Sequence, residues 1–384
     1  MAQRHEGGWV CITSPPLESN DRHVIDNRCQ PATMPGVDPL LQRWHAAPPV
    51  TADACGRAPG GDGRGSHFRH ESLFYSGPDE FLAGTLPLID RTLEREGPVL
   101  VAAREANLEL LREALGERAR GVRFADMRVL GRNPARIISA WHQFLEASAS
   151  RRAPALGVGE PIWPGRSAAE LTECQRHESL LNLAFAGGPR WRLLCPYDLD
   201  GLEEAVIEAA RRSHPFDAAD GARERTGLFG NDGREDTFNG ELPPPPRSVP
   251  RTSFSRERVR MVRRVVARQA EEARLDHERS QQLVLAVSEL ASNSVRHGGG
   301  TGTFRVWKEN GTLLCEVQDA GRIEAPLAGR IKPPPDQLTG RGLWLVNQLC
   351  DLVQIRSDDT GTVVRVHMNL IATNTGRHAA RAAP

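Results

Sequence analysis

The chain has 384 residues, which is long enough for two folded domains with additional chain around them. Its 49 lysines and arginines balance 49 aspartates and glutamates, so no basic surplus favours binding to DNA or to an anionic membrane. The seven cysteines form no CxxC pair, and no apolar run approaches the roughly 20 residues that a transmembrane helix needs. The N-terminus lacks a signal-peptide pattern. We therefore expect a cytoplasmic protein without a zinc site or a disulfide framework.

The first half of the chain alternates predicted helices and strands. Residues 1–66 are rich in glycine and proline without a hydrophobic period, so we predict a disordered extension and then a folded domain at 67–213. Apolar periodicity predicts helices at 81–93, 108–115, 134–144, 170–185 and 202–210, and buried strands at 99–103, 122–126, 155–160 and 191–195. Asn107 is expected to cap the second helix and Gly116 to end it. This alternation is typical of an α/β domain around a mainly parallel sheet.

Four short segments of this domain resemble the MEDS domain, a sensory module of methanogen and methylotroph regulators. They are Glu80-Phe81-Leu82, Gly131-Arg132-Asn133-Pro134-Ala135-Arg136, Gly159-Glu160-Pro161-Ile162-Trp163 and Cys195-Pro196-Tyr197. The HxCxxY element of that family reads His70-Glu71-Ser72-Leu73-Phe74-Tyr75 here, with Ser72 in place of the cysteine. The resemblance implies a small-molecule ligand. The candidate sensory site comprises His70, Tyr75, Glu160 and Trp163, in part because parallel sheets bind ligands at their strand ends.

The pair His177-Glu178 is similar to the phosphoacceptor box of histidine kinases. It lies inside the predicted α/β domain, whereas a sensor kinase carries this box on a long dimerising helical hairpin directly before its ATP-binding domain. We therefore expect His177 to be a structural or ligand-lining residue.

A glycine- and proline-rich linker is predicted at 214–252, with 243–246 as a polyproline II spacer. The second domain, at 253–373, should begin with Ser253 or Ser255 capping a helix. Asn310-Gly311 predicts a hairpin between two strands. The expected elements are a helix ending at 298–300, strands at 304–308 and 313–317, a lid at 321–340, a helix at 343–349, strands at 352–356 and 362–368, and a loose tail at 374–384. This order predicts a two-layer sandwich of helices on a mixed, mostly antiparallel sheet.

Four motifs of the second domain follow one another within the length of one small domain. Glu289, Asn293 and His297 lie four residues apart, so they share one face of a helix, although a solvated helix face explains such a row equally well. The other motifs are Asp319-Ala320-Gly321 after a strand, Gly340-Arg341-Gly342-Leu343 at the start of an apolar helix, and Thr362 at the start of the last strand. A glycine-rich turn before a helix can offer free N–H groups to a phosphate.

Together these motifs resemble the ATP-binding domain, called GHKL, that is shared by gyrase, the 90-kDa heat-shock chaperone, histidine kinases and MutL. The short form is similar to the anti-sigma-factor serine kinases (RsbW-like and SpoIIAB-like). The resemblance implies a general base at Glu289 and a Mg²⁺ ligand at Asn293. It also implies that the adenine lies near Asp319, Gly321 and Thr362 and that the phosphates lie near Gly340 and Gly342. The other candidate nucleotide-binding residues are His297, Arg341 and Leu343. The family often has a second glycine at the position of Ile323.

The resemblance implies the cofactors ATP and Mg²⁺, a sigma factor as one partner and a STAS-type anti-anti-sigma protein as the phosphorylated partner. A homodimer is also expected from it. One alternative is a module that holds ATP weakly and only sequesters its partner, and Ile323 slightly favours this hypothesis. A sensor histidine kinase using His177 is the third hypothesis. A gyrase-like or chaperone ATPase is disfavoured because the domain is too short to include a transducer.

Overall fold

The computed structural model describes residues 68–218, 240–334, 336–337 and 340–370. The predicted extension at 1–66, residues 219–239 of the predicted linker and the predicted tail at 374–384 lie outside these residues. No helix within the described ranges combines the length and the apolar character needed to span a membrane.

The first domain is an α/β fold around a six-stranded sheet in the order β3-β2-β4-β5-β1-β6. Every strand pair in it is parallel, which confirms the predicted class. Its elements are β1 Phe68–Tyr75, α1 Gly77–Glu94, β2 Val99–Ala103, α2 Glu105–Leu115, β3 Val122–Asp126, α3 Met127–Leu130, α4 Ile137–Ala147, β4 Ala155–Gly159, α5 Ala168–Ala184, β5 Trp191–Asp198, α6 Glu204–Ser213 and β6 Phe216–Asp217. Apolar side chains on both sheet faces form two clusters against these helices.

Strand β1 is the main element that the sequence did not predict. Its segment contains three ionisable residues in a row, which is atypical of an interior strand. The structure accommodates the buried Glu71 by pairing it with Arg69, at 2.9 Å, and with Arg192 on the neighbouring β5. Strand β6 pairs with β1 beyond the predicted domain end at residue 213.

The cap predicted for the second helix is wrong. Helix α2 begins at Glu105 with Arg104 at the cap position, and Asn107 lies inside its first turn. The Asn107 side chain is buried and donates to Glu160 instead, a partner 53 residues away in sequence. Gly116 ends the helix as predicted, at a φ of 53° that favours glycine.

The second domain is a five-stranded sheet in the order β10-β11-β9-β8-β7 with helices on it. Its elements are β7 Thr252–Ser255, α7 Val259–Glu272, α8 His277–His297, β8 Thr301–Glu309, β9 Thr312–Asp319, α9 Arg341–Leu349, β10 Leu352–Asp358 and β11 Gly361–Asn369. All the described strand pairs are antiparallel, rather than mixed. The predicted hairpin turn is confirmed, since Asn310 and Gly311 both have positive φ. One apolar cluster joins the three helices to the sheet.

The start of the second domain also differs from the prediction. Ser253 and Ser255 belong to strand β7, which pairs with β8, and neither caps helix α7. The Ser255 hydroxyl donates to Glu257 within a short 3₁₀ turn that separates the strand from the helix. The sequence of Thr252–Ser255, which contains two serines, is as typical of a helix cap as of a strand. Only its pairing with β8 makes this segment a strand.

Candidate functional site

Helix α8 positions the first three predicted site residues. Asp276 caps it by accepting from the Arg279 N–H at 2.9 Å, and its apolar face packs into the core of the second domain. Glu289 and Asn293 are half-buried on the side of the helix, one turn apart, whereas His297 is exposed in its last turn. The three residues therefore lie on one helix face, as predicted, and His297 is at the exposed C-terminal end of the helix.

Gly342 brings the second glycine cluster against Glu289 and Asn293. A Cβ atom added at Gly342 would lie 3.0 Å from Glu289 Oε2 and 3.2 Å from Asn293 Nδ2. Gly340 precedes it as the cap residue of α9, with a left-handed φ of 79°. The start of α9, with the partial positive charge of a helix N-terminus, therefore lies beside a carboxylate and an amide. The chain separates these groups by about fifty residues, and only the fold brings them together.

Arg341 and Leu343 support the start of α9. The Arg341 guanidinium donates to the carbonyl oxygens of Gln337, at 2.7 Å, and Pro334, at 3.0 Å, and so ties α9 to the segment before it. Leu343 packs on the core of the second domain and lies under Gly329, where a Cβ would come within 2.8 Å of the Leu343 Cβ. These contacts give both residues a positioning role.

Asp319, Gly321 and Thr362 form one hydrogen-bond network. Asp319 accepts from the Gly321 N–H through Oδ1 at 2.8 Å, and Thr362 on the adjacent strand donates to the Gly321 carbonyl oxygen at 2.7 Å. A Cβ at Gly321 would lie 2.6 Å from the His297 carbonyl oxygen, so a glycine is required there. Ser294 completes the network by donating to Asp319 Oδ2 at 2.6 Å. No sequence pattern marks Ser294 as a site residue, because serine is common on helix surfaces and its position fits no motif.

The network extends to the position where the resemblance expects a second glycine. The Ile323 N–H donates to the Ser357 hydroxyl at 2.8 Å, and that hydroxyl lies 2.7 Å from Thr362 Oγ1. The backbone at Ile323 is therefore held in place despite the change of side chain.

Of the predicted sensory residues, Tyr75 and Glu160 lie together at the carboxyl edge of the parallel sheet. Glu160 accepts from Arg104 Nε at 2.8 Å and from Asn107 Nδ2 at 3.0 Å, and its Oε1 lies 3.4 Å from the Tyr75 hydroxyl. Burial raises the pKa of Glu160, an effect that Arg104 opposes, and burial also raises the pKa of Tyr75 to about 12. Asp198, 3.6 Å from Arg104, is partly exposed beside them. We call these five residues the edge cluster.

His70 and Trp163 have other contacts. The Arg166 Cζ atom lies 3.7 Å from the centroid of the Trp163 ring. His70 is fully buried, and its Nε2 lies 3.0 Å from Glu178 Oε2 on α5. Burial lowers the pKa of His70 to about 4. Of the four predicted sensory residues, His70 therefore lies apart from the Tyr75–Glu160 pair.

His177 points into the interior of the first domain. Its side chain is only 1% exposed, and burial lowers its pKa to about 3. A phosphoacceptor must reach the γ-phosphate, so this burial argues against the histidine-kinase hypothesis.

Buried polar contacts join the two domains next to α9. Asn133 of the first domain donates to the Asn347 carbonyl oxygen at 3.0 Å, and Asn347 Nδ2 donates to the Gly329 carbonyl oxygen at 2.9 Å. Both asparagine side chains are buried. Arg132, next to Asn133, pairs with the buried Asp351 at 2.8 Å.

A second group of contacts centres on Glu173 of α5. Its carboxylate lies 2.8 Å from Arg356 on β10 and 3.7 Å from Arg330, and all three side chains are buried. Arg330 adjoins Gly329, so helix α9 and the segment before it both contact the first domain. We call the two groups of contacts the domain interface.

Comparison with known proteins identifies both domains. Residues 69–215 match the model of the MEDS family, the methanogen/methylotroph DcmR sensory domain, and residues 252–368 match that of the histidine kinase-like ATPase domain. No curated protein matches the chain.

Solved structures also align with part of this chain, and two of them serve as comparisons. The RsbU and RsbW domains of Rv1364c from Mycobacterium tuberculosis align at 20% identity and a TM-score of 0.24, over 31% of this chain and 32% of that one. The Acinetobacter baumannii histidine kinase AdeS aligns at 13% identity and a TM-score of 0.21, over 32% and 68%. The chain thus spans about a third of the length of the Mycobacterium protein. The two family matches assign the folded regions: the chain joins an N-terminal MEDS sensory domain to a C-terminal histidine kinase-like ATPase domain.

Proposed function

We propose that the protein is an ATP-dependent serine/threonine kinase that binds a sigma factor and phosphorylates a STAS-type anti-anti-sigma protein. The observation that carries this proposal is the convergence of Glu289, Asn293 and the start of α9 at Gly342. It supports a site for a Mg²⁺-bound nucleotide, because an amide oxygen suits Mg²⁺ and the positively polarised N-terminus of a helix suits phosphate. The glycine keeps open the space that a side chain would fill.

Each of these groups would have one task in this site. Bound Mg·ATP would supply the phosphoryl group and the charge neutralisation that its transfer needs. Asn293 would hold the metal through its amide oxygen, and the N–H groups at Gly340 and Gly342 would hold phosphate oxygens. Glu289 would accept the proton of the attacking serine hydroxyl. Asp319 would accept from the adenine amino group and so select ATP over GTP.

We prefer a serine or threonine acceptor to an internal histidine. The motifs resemble the anti-sigma-factor serine kinases, and His177 is buried in the first domain. A half-buried carboxylate beside the phosphate end of the site suits a hydroxyl nucleophile, which must lose a proton on attack. The sequestering module remains the alternative, with Glu289 then having no catalytic role.

We further propose that a small ligand at the MEDS domain regulates the kinase. The edge cluster combines a partly exposed carboxylate and a guanidinium at the sheet edge where α/β folds bind ligands. The domain interface then connects this domain to Asn347 of helix α9 and, through it, to Gly329. A ligand that shifts α5 or the turn at Asn133 could therefore change the position of the glycine cluster.

The nucleotide assignment of Asp319 predicts a change in base selectivity. In Asp319→Asn, we expect ATP affinity to fall roughly tenfold to a hundredfold, because a hydrogen bond to a charged group contributes about 1.5–3 kcal/mol. GTP affinity should change much less. Titration calorimetry with both nucleotides measures this, with Asp79→Asn as control, because Asp79 is an exposed residue in the first turn of α1 in the other domain. Equal losses for ATP and GTP would contradict the adenine assignment.

The kinase itself is tested by transfer of label from γ-labelled ATP to a STAS-domain protein from the same genome. We expect acid-stable label on that protein, and none with the Glu289→Ala chain. Acid-labile label on the chain itself would instead favour a histidine kinase. ATP binding and a stable complex without any transfer would favour the sequestering module.

A further inference from the structure

Four buried side chains meet in the interior of the MEDS domain, away from the edge cluster. They are His70 on β1, Glu178 on α5, Cys195 on β5 and His214 at the end of α6. None is more than 1% exposed, and their ligand atoms all lie within 4.8 Å of one another. The sequence suggested no metal site because these residues are spread over more than 140 positions. Parallel pairing of β1 with β5, with Ser72 opposite Cys195, brings the imidazole and the thiol onto the same face.

The distances in this group are close to those between the ligand atoms of one metal ion. His70 Nε2 lies 3.0 Å from Glu178 Oε2 and 3.4 Å from Cys195 Sγ, and His214 Nε2 lies 3.3 Å from Glu178 Oε2. Around a tetrahedral Zn²⁺ with bonds of about 2.0–2.3 Å, neighbouring ligand atoms are separated by about 3.3–3.8 Å. Small side-chain shifts therefore suffice for all four atoms to reach one ion.

The hydrogen bonds behind the two imidazoles orient them as metal ligands. Asn182 donates to the Ser213 carbonyl oxygen at 2.8 Å, which leaves its Oδ1 to accept from His70 Nδ1 at 3.1 Å. His214 Nδ1 lies 2.7 Å from the Ala210 carbonyl oxygen, which can only accept. Both rings thus hold a proton on Nδ1, and in their neutral form each aims an Nε2 lone pair at the Glu178 carboxylate. A carbonyl that accepts from the distal ring nitrogen is typical of metal-bound histidine.

We propose that His70, Glu178, Cys195 and His214 bind one divalent transition-metal ion of the Zn²⁺ class in the core of the MEDS domain. A lone pair directed at a buried carboxylate is repelled by it unless a proton or a metal ion lies between them, and one metal ion would satisfy both imidazoles at once. In addition, Glu178 Oε1 is buried and has no hydrogen-bond partner among the described residues. Nitrogen, sulfur and oxygen ligands in a closed four-ligand set suit Zn²⁺ and a structural role.

Such an ion would connect the sheet to the domain interface. It would tie β1 and β5 to α5 and to the end of α6, and α5 also carries Glu173, which contacts Arg356 of the ATPase domain. Loss of the metal would therefore loosen the helix that contacts the second domain. This inference does not depend on the kinase activity.

The test uses the untagged full-length chain. We expect about one equivalent of metal by elemental mass spectrometry, and recovery of one equivalent when the chelator-treated chain is titrated with Zn²⁺. Titration with Co²⁺ should produce a thiolate-to-metal charge-transfer band. Cys195→Ser should abolish this band and weaken Zn²⁺ binding by at least about tenfold, and Asn182→Ala should weaken it about 10–100-fold.

The matched control is Cys174→Ser, which makes the same change at another buried thiol of this domain. It should leave both the band and the affinity unchanged. A wild-type chain that remains folded but binds neither ion at micromolar concentration would overturn the proposal. So would a cobalt spectrum without a thiolate band, and this readout needs only the wild-type chain if a variant does not fold.

Discussion

Replacing Glu289 by glutamine should reduce phosphoryl transfer by about 10²–10⁴-fold while leaving ATP binding nearly unchanged. The substitution keeps the size of the side chain against Gly342 but removes the carboxylate that would accept the proton from the acceptor hydroxyl. Because the carboxylate would stabilise only the transition state, its removal should lower the rate of phosphoryl transfer and leave the affinity for ATP unchanged. Single-turnover transfer to the partner protein and nucleotide titration measure the two quantities separately.

Two further variants on the same helix make this experiment specific. Glu278→Gln changes an exposed glutamate in the first turn of α8 and should have no effect on transfer. Asn293→Ala should instead abolish Mg²⁺-dependent ATP binding, because it removes the proposed oxygen ligand. Normal transfer by Glu289→Gln would show that this carboxylate is not the base. Tight Mg·ATP binding by Asn293→Ala would show that the metal assignment is wrong.

The second large effect is expected at the domain interface, where Glu173→Gln should destabilise the docked protein by about 3–5 kcal/mol. Glu173 is 1% exposed and faces Arg356 and Arg330, whose side chains are also buried. Glutamine retains the shape but leaves these cations without their counter-charge in the protein interior. The free-energy cost arises because the buried arginines lose their counter-charge. Hydrogen bonds from the neutral glutamine amide should therefore not compensate for it.

Scanning calorimetry can follow this change, since weaker docking should separate the unfolding of the two domains into distinct transitions. Glu204→Gln is the matched control, because Glu204 is 74% exposed and lies 3.5 Å from an exposed Arg211. Such surface pairs contribute less than about 1 kcal/mol. If both variants unfold alike, the buried charges do not hold the domains together.

The sequence by itself determined the local structure of most elements and the two-domain organisation. The helix of Glu289 and Asn293, the turn at Asn310-Gly311 and the α/β alternation before them all follow from short-range patterns, namely apolar periodicity and glycine conformation. The spacing of four residues placed Glu289 and Asn293 on one helix face for the same reason. The motif resemblance then indicated both domain families, which the family matches confirm.

Only the tertiary structure decided which distant residues meet. Strand β1 was not predicted, because the partners of its buried Glu71 include Arg192 on another strand. Asn107 was predicted to cap a helix, but its side chain donates to Glu160 instead. The fold also separated His70 from the Tyr75–Glu160 pair, because alternate residues of β1 face opposite sides of the sheet. It brought Gly342 to Glu289, and His70 to Cys195. Such contacts depend on strand order and helix packing, which no pattern along the chain encodes.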